Sequence, residues 1–554
     1  SIFRISYNLY AFYINPFTKI RQILYYITMT YKPVVLVILD GYGRGPENTA
    51  NAIFKAKKPN IDFIEKNFPM TNLQASGIAV GQPWGEEGNS EVGHLNLGSG
   101  RIVYQYLPRI IFAIRDGSFY KNPALLGVAD HIRKNNSAFH IIGLIGSGNV
   151  HSYIDNLYAM LEFAKRENLE KVFIHAFTDG RDSPPKEALD FYEKLQNKMS
   201  QEYPFAKIVS LIGRHFAMDR DNSWDKTEKA YRLLTENKGE IFNDTKSALQ
   251  SDYDKNLTDE FIEPKVIAHS SANGGESIKD GDAIASLDFR EDSARQLTRA
   301  FVEEGFNKFV REKINNLYFA AMTRYEDDLP INVLFEPLKI ENPLAKIISD
   351  AGKTQVHIAE TEKYAHITYF FNSGIENHFP KEDRIIIPTM RDNNFEENPT
   401  MSAEEITEKI VESINSKKYD FIVANYANAD MIGHTGNFNA TVSAIEILDK
   451  EMGQLMTESL KADAALIITS DHGNADEMID LLTGQPHTEH TPNPVPFYLI
   501  ANDFKREKTP EEVELGKIEV DGILADVTPT ILELMGLPKS PEMTGKSLLR
   551  ILKK

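Results

Sequence analysis

The stretch Lys32–Asp40, KPVVLVILD, decides the fold. Val34–Leu39 is aliphatic at every position, and the run ends in an acid followed by Gly41. A strand with one wet face alternates apolar and polar residues. A run without alternation is buried on both faces, as in a parallel sheet covered by helices. Working outward, Tyr419–Asn425 (YDFIVAN) and Ala464–Thr469 (AALIIT) have the same character. Helical patterns such as Ser402–Ser416 and Ala440–Leu460 alternate with them. Strands alternating with helices give an α/β fold with a largely parallel sheet.

The middle of the chain repeats this grammar. Phe139–Ile145, Lys171–Phe177 and Ala206–Ile212 are strand candidates, with a helical stretch at Asn156–Glu167. Tyr104–Pro108 and Leu334–Pro337 are expected as linkers, each near a proline. We therefore expect one discontinuous domain, residues 29–105 and 338–554, interrupted by an inserted α/β domain over 108–334. A length of 554 residues would allow three or four domains, so two large ones are a sharper expectation. Residues 1–28 stand apart: they carry Arg4, Lys19 and Arg21, no acid and five tyrosines. They read as a leader, an extension ahead of a start at Met29; a presequence or an amphipathic surface segment are the alternatives. No apolar run approaches the ~20 residues of a membrane span.

Acidic residues outnumber basic ones, 80 to 61, for a formal charge of −19. A general nucleic-acid binder needs a basic footprint and is excluded on that balance. A small anionic substrate is not, because a local basic pocket can sit in an acidic protein. The chain has no cysteine and 14 histidines. Disulfides, thiolate metal sites and cysteine nucleophiles are thus ruled out, and a metal must be held by carboxylate, imidazole or hydroxyl groups.

Three strand candidates end in such groups. Asp40 closes the first; Asp430 and His434 follow the second in NYANADMIGH; Asp471 and His472 follow the third in TSDHGNADEM. Ligands of parallel sheets bind beyond the carboxyl ends of the strands. One such acid is usually a polar cap. Five converging carboxylate and imidazole groups repel one another unless a cation joins them. Pro486–Pro496, PHTEHTPNPVP, adds His487 and His490, one of which reads as a further ligand. The segment Trp84–Gly100, WGEEGNSEVGHLNLGSG, reads as a glycine-rich loop with Ser90 near its centre. It lacks the G-x-S-x-G elbow, so activation of that hydroxyl by a metal is the available route. In the middle segment, His151, Arg181, Asp182, Arg214, Arg220, Arg290 and Arg295 lie in turn-like contexts after apolar runs. Isolated arginines are usually solvated. A set of them argues for an anion pocket, since the guanidinium fork matches phosphate and carboxylate. Lys363, in AETEKYAH, is a candidate contribution from the other domain.

These segments together resemble the cofactor-independent phosphoglycerate mutases, which need no 2,3-bisphosphoglycerate and belong to the alkaline phosphatase superfamily. VILDGYG, GNSEVGHLNLGSGR, GRDSPP, GRHFAMDRDNSWD, AETEKYAH, NADMIGH and DHGNADEM occur in the family's order, over about Met29–Lys554. The resemblance implies an alkaline-phosphatase-like parallel-sheet domain, which binds metal, interrupted by an inserted substrate-binding transferase domain. It implies interconversion of 3-phosphoglycerate and 2-phosphoglycerate through a phosphoserine, with two divalent ions, commonly manganese. One ion falls to Asp430, His434 and His490, the other to Asp40, Ser90, Asp471 and His472. Ser90 is the nucleophile, Lys363 neutralises the transferring group, and Asp182 is the acid or base for the glycerate hydroxyls. His151, Arg181, Arg214, Arg220 and Arg290 contact substrate. A cytoplasmic monomer acting on a small phosphoglycerate, with neither nucleic acid nor membrane as partner, is the matching expectation.

Two positions depart from the family pattern. Ser293 stands where a second arginine is usual, three residues after Arg290, and Arg295 is the nearby substitute. Glu86 and Glu87 replace a usual Gln-Met pair; they either weaken phosphate affinity or face solvent. Two rival functions are compatible with these residues. A phosphomonoesterase could use the same metal site with water as acceptor, though it needs no second anion pocket. An inactive binding protein would be expected to have lost ligands, yet all are present.

Overall fold

The computed structural model describes residues 30–268, 276–389 and 394–553. The 1–28 leader lies outside the described residues. The chain divides into two compact units, one of Ser1–Tyr104 with Lys339–Lys554, the other of Gln105–Leu338.

The first unit is built on an eight-stranded sheet. From edge to edge its strands are Glu382–Ile387, Gln355–Glu360, Phe421–Tyr426, Val34–Leu39, Ala465–Thr469, Val495–Ile500, Met70–Gln74 and Val520–Ile523. Only Val495–Ile500 runs against the others. The unbroken apolar run at its centre has its explanation in two separate cores. Val34, Leu36 and Ile38 join one buried cluster, while Val35, Val37 and Leu39 join another on the opposite face. Alternate residues of a strand point to opposite faces, so both faces here are dry. Each buried aliphatic side chain contributes roughly 1.5–3 kcal/mol.

Register then places the chemistry. Ile38 lies opposite Asn425 on one side and Thr469 on the other. The three strands therefore stop at one level, and Asp40, the Asn428–Gly433 helix and Asp471 all follow at the same sheet edge.

The second unit has its own eight-stranded sheet. Its order is Asn332–Phe335, Tyr318–Thr323, Ala283–Ser286, Phe139–Leu144, Val172–Thr178, Ala206–Gly213, Lys265–Ile267 and Glu240–Phe242. The last two strands are reversed relative to the rest. Both expected linkers turn out to be partly regular. A helix occupies Tyr106–Asp116 and a strand Asn332–Phe335, because the apolar residues there join that unit's core. Among the described residues, no helix is long and apolar enough to cross a membrane.

Candidate functional site

Ser90 is the first residue of a helix, Ser90–Ser99, where a glycine-rich loop was expected. Asn89 caps it by accepting from the Val92 amide at 2.9 Å. The glycines reflect close packing rather than loop freedom: a Cβ on Gly93 would come within 2.7 Å of the Asp471 side chain. Gly41 is required on two counts, since its φ is +75° and an added Cβ would meet the Asp430 backbone at 2.8 Å. Both glycines let backbone approach the acids closely.

Four side chains converge on the Ser90 hydroxyl or its partners. Ser90 Oγ donates to Asp40 Oδ1 at 3.1 Å and lies 2.9 Å from His472 Nε2. Lys363 sits in the turn Thr361–Lys363 that follows the Gln355–Glu360 strand. Its Nζ donates to Ser90 Oγ at 2.9 Å, to Asp40 Oδ1 at 2.7 Å and to Asp430 Oδ2 at 2.6 Å. All of these groups are buried. Burial alone would favour neutral acids. Lys363 first, then the imidazoles, overcome it and hold Asp40 and Asp430 far below the usual carboxylate range. Burial would likewise discharge Lys363, but Asp40 and Asp430 hold it charged.

The imidazoles test whether a metal fits. His434 Nδ1 pairs with the Thr488 carbonyl at 2.8 Å and His490 Nδ1 with the Gly88 carbonyl at 2.7 Å. A carbonyl only accepts, so each ring carries its proton on Nδ1 and presents a lone pair at Nε2. These two Nε2 atoms face each other at 3.1 Å, and both lie within 3.3 Å of Asp430 Oδ1. Two lone pairs and a carboxylate oxygen at such range call for a cation. Nearby, buried Asp471 Oδ2 has no hydrogen-bond partner among the described residues and lies 3.1 Å from His94 Nδ1 and 3.6 Å from His472 Nε2. The donor set of oxygen and imidazole, without sulfur, suits a divalent ion. His487 turns instead to the Glu477 carbonyl at 3.0 Å.

Three buried groups here escaped the sequence reading. His94 Nδ1 lies 2.8 Å from the Ser90 carbonyl and 3.1 Å from Asp471 Oδ2. Asn425 Nδ2 donates to Asp40 Oδ2 at 2.7 Å and lies 3.0 Å from His94 Nε2. Asn474 Nδ2 donates to Asp430 Oδ1 at 2.9 Å. The four-residue spacing from Ser90 to His94, one helical turn, was the available signal for the first. Glu86 and Glu87 are exposed.

The second unit holds a cleft of about 400 Å³ lined by His151, Arg181, Asp182, Arg214, Arg220, Arg290 and Ser293, among others. Arg214 Nη1 donates to Asp179 Oδ1 at 2.6 Å and Asp182 Oδ2 at 2.5 Å. Arg220 and Arg290 share Asp292, at 2.6 Å and 3.1 Å, and Arg181 pairs with Glu260. Ser293 Oγ lies 2.8 Å from His151 Nδ1. Burial, then Arg214, push His151 down to about 4 against the pull of Asp182, so its ring is neutral near pH 7. Arg295 does not line the cleft; its Nε donates to the Tyr325 carbonyl at 3.0 Å. Asp179 and Asp292, which hold the arginines, were also missed.

Comparison with known proteins now bears on this arrangement. The family model of the Metalloenzyme superfamily matches residues 32–539. The 2,3-bisphosphoglycerate-independent phosphoglycerate mutase of Clostridium novyi is 46 % identical over 523 residues, covering 94 % of this chain and 100 % of that one. Mutase 1 of the same name from Methanosarcina acetivorans is 46 % identical over 519 residues, covering 94 % and 98 %. Among solved structures, Leishmania mexicana phosphoglycerate mutase, crystallised at low cobalt concentration, aligns with a TM-score of 0.54 at 30 % identity, covering 94 % and 98 %. Likeness of that extent runs through both units, and so the chain belongs to the Metalloenzyme superfamily and, within it, to the 2,3-bisphosphoglycerate-independent phosphoglycerate mutases.

Proposed function

We propose that this protein is an isomerase that interconverts 3-phosphoglycerate and 2-phosphoglycerate, with Ser90 carrying the phosphoryl group between the two hydroxyls. The observation that carries this reading is the single buried point at which Ser90 Oγ meets Asp40, His472 and Lys363. Asp430, His434 and His490 would hold one divalent ion, and Asp40, Ser90, Asp471 and His472 a second, with manganese the proposed metal. Such ions supply a lowered hydroxyl pKa and neutralise phosphoryl charge.

The chain's own residues do the rest. Ser90 Oγ donates to Asp40 Oδ1, which fixes the orientation of the hydroxyl for in-line attack. Lys363, kept cationic by Asp40 and Asp430, stabilises charge developing on Ser90 Oγ and on the phosphoryl oxygens. In the second unit the arginines hold the carboxylate and phosphate of the substrate. Asp182 moves a proton on or off the glycerate hydroxyls, beside a neutral His151 whose Nε2 lies 3.8 Å from its Oδ2. Retaining the glycerate between the two transfers is what separates a mutase from a phosphatase. We further propose that the protein acts as a monomer in the cytoplasm.

Phosphorus NMR of the Mn²⁺-loaded protein with pure 3-phosphoglycerate tests this directly. A 2-phosphoglycerate resonance should grow to equilibrium without bisphosphoglycerate. Inorganic phosphate appearing in its place would sink the reading in favour of a phosphomonoesterase.

A further inference from the structure

We propose that Lys226 is an anion-contacting residue of the second-unit cleft, supplying the cation that Ser293 does not. The proposal rests on the mutase reading for its ligand, whose carboxylate or phosphate oxygens Lys226 would bind.

Ser293 faces the cleft with a neutral hydroxyl committed to His151 Nδ1 at 2.8 Å. Arg295, the neighbouring candidate, is committed to the Tyr325 carbonyl and does not line the cleft. Lys226 does line it.

The cleft cations differ in how they are held. Each arginine makes a hydrogen-bonded pair with a carboxylate: Arg181 with Glu260, Arg214 with Asp179 and Asp182, Arg220 and Arg290 with Asp292. Lys226 Nζ stands 3.6 Å from Asp219 Oδ1, beyond hydrogen-bond range. The other oxygen of Asp219 is already taken, accepting from Ser223 N at 2.8 Å and Gln296 Nε2 at 3.0 Å. Lys226 is thus the cleft cation with the loosest carboxylate partner.

One side chain ties the helix that carries Lys226 to the helix that carries Ser293. Gln296 lies one helical turn from Ser293 on the Glu291–Val302 helix, on the same face. Gln296 Oε1 accepts from the Asn222 amide at 2.8 Å, and its Nε2 donates to Thr227 Oγ1 at 3.1 Å. The start of the Trp224–Glu236 helix, which carries Lys226, is pinned there. Local stability does not account for a lysine at that place. It occupies the first turn of its helix, where the macrodipole disfavours a cation.

Lys226→Met keeps the stem and removes the charge. In steady-state assays of the full chain with Mn²⁺ and 3-phosphoglycerate, KM should rise about tenfold with kcat little changed, the usual weight of one charge-assisted hydrogen bond. Ser293→Arg placed in that background should restore most of the lost KM, and Arg295→Ala alone should leave it unchanged. A variant that keeps the wild-type KM and melting temperature overturns the proposal, as does failure of Ser293→Arg to rescue. Calorimetric titration with 3-phosphoglycerate measures binding independently of turnover. An unchanged Kd in Lys226→Met counts against Lys226, while a wild-type protein that binds without interconverting counts against the mutase reading alone.

Discussion

Two buried histidines, one in each unit, are driven in opposite directions. His472 is raised to about 10 and His151 lowered to about 4. Burial pushes both down, so burial is not what separates them. Around His472, the carboxylates of Asp471, Asp40 and Asp430 overcome burial; around His151, Arg214 reinforces it. The first unit has built a field that collects cations, the second a field that collects anions, and one net charge of −19 conceals both. A centre for phosphoryl transfer needs the first field, and retention of a released hydroxy acid needs the second.

The sharpest way to break this division is at the nucleophile. Ser90→Ala should lower turnover by at least about 10⁴-fold, as loss of a covalent nucleophile does, while 3-phosphoglycerate still binds the second unit. Substantial residual mutase activity would remove Ser90 from its role. Lys363→Met comes next, with a loss of about 10²–10³-fold in kcat, the weight of one group that stabilises developing charge. If kcat holds while only KM moves, Lys363 binds substrate and does not stabilise the transfer.

Both fields were partly legible in the sequence. Asp40, Asp430 and Asp471 could be read because each follows an apolar run, and parallel strands end at one edge. The Ser90 helix reads as a loop in the sequence. Gly93, needed for the approach of Asp471, and Gly98, packed against the Phe371 carbonyl, removed the apolar periodicity. Asn425 was not legible at all, and His94 only through its one-turn spacing from Ser90, since their mutual contact spans 331 residues. The arginines of the cleft could be named as a set, but the carboxylates that orient them could not. Asp292 and Asp179 look like ordinary surface acids until the fold brings Arg220, Arg290 and Arg214 to them.

A reciprocal pair of variants tests the separation itself. Arg214→Gln should raise KM for phosphoglycerate roughly 10- to 100-fold, because it removes a charge-assisted contact and strands the buried Asp179 and half-buried Asp182 carboxylates. Mn²⁺ affinity, measured by calorimetry, should not change. His490→Ala should weaken Mn²⁺ by at least about tenfold and leave 3-phosphoglycerate binding in the absence of metal as it was. Cross-talk in both directions would mean that the two fields are one.

The smallest effect is the most specific, because it follows from the sign of one field. His151 is held near 4 in the folded protein, below the ordinary histidine value of 6.5. Between those limits the unfolded chain binds a proton there that the folded chain refuses. Stability then rises with pH across that window, and the contribution of His151 is lost as pH falls from about 6.5 toward 4. His151→Gln removes the titrating group but can still hydrogen-bond to Ser293. Chemical denaturation at intervals from pH 7 to pH 4 should show the wild type losing stability faster than the variant. Parallel curves would mean that the cleft does not disfavour a cation at His151, and the contrast with His472 would lose its anionic half. Curves that cross the other way, with the wild type gaining on acidification, would require Asp182 to dominate Arg214. In that case His151 would enter the reaction as an imidazolium and serve as the proton donor beside Asp182.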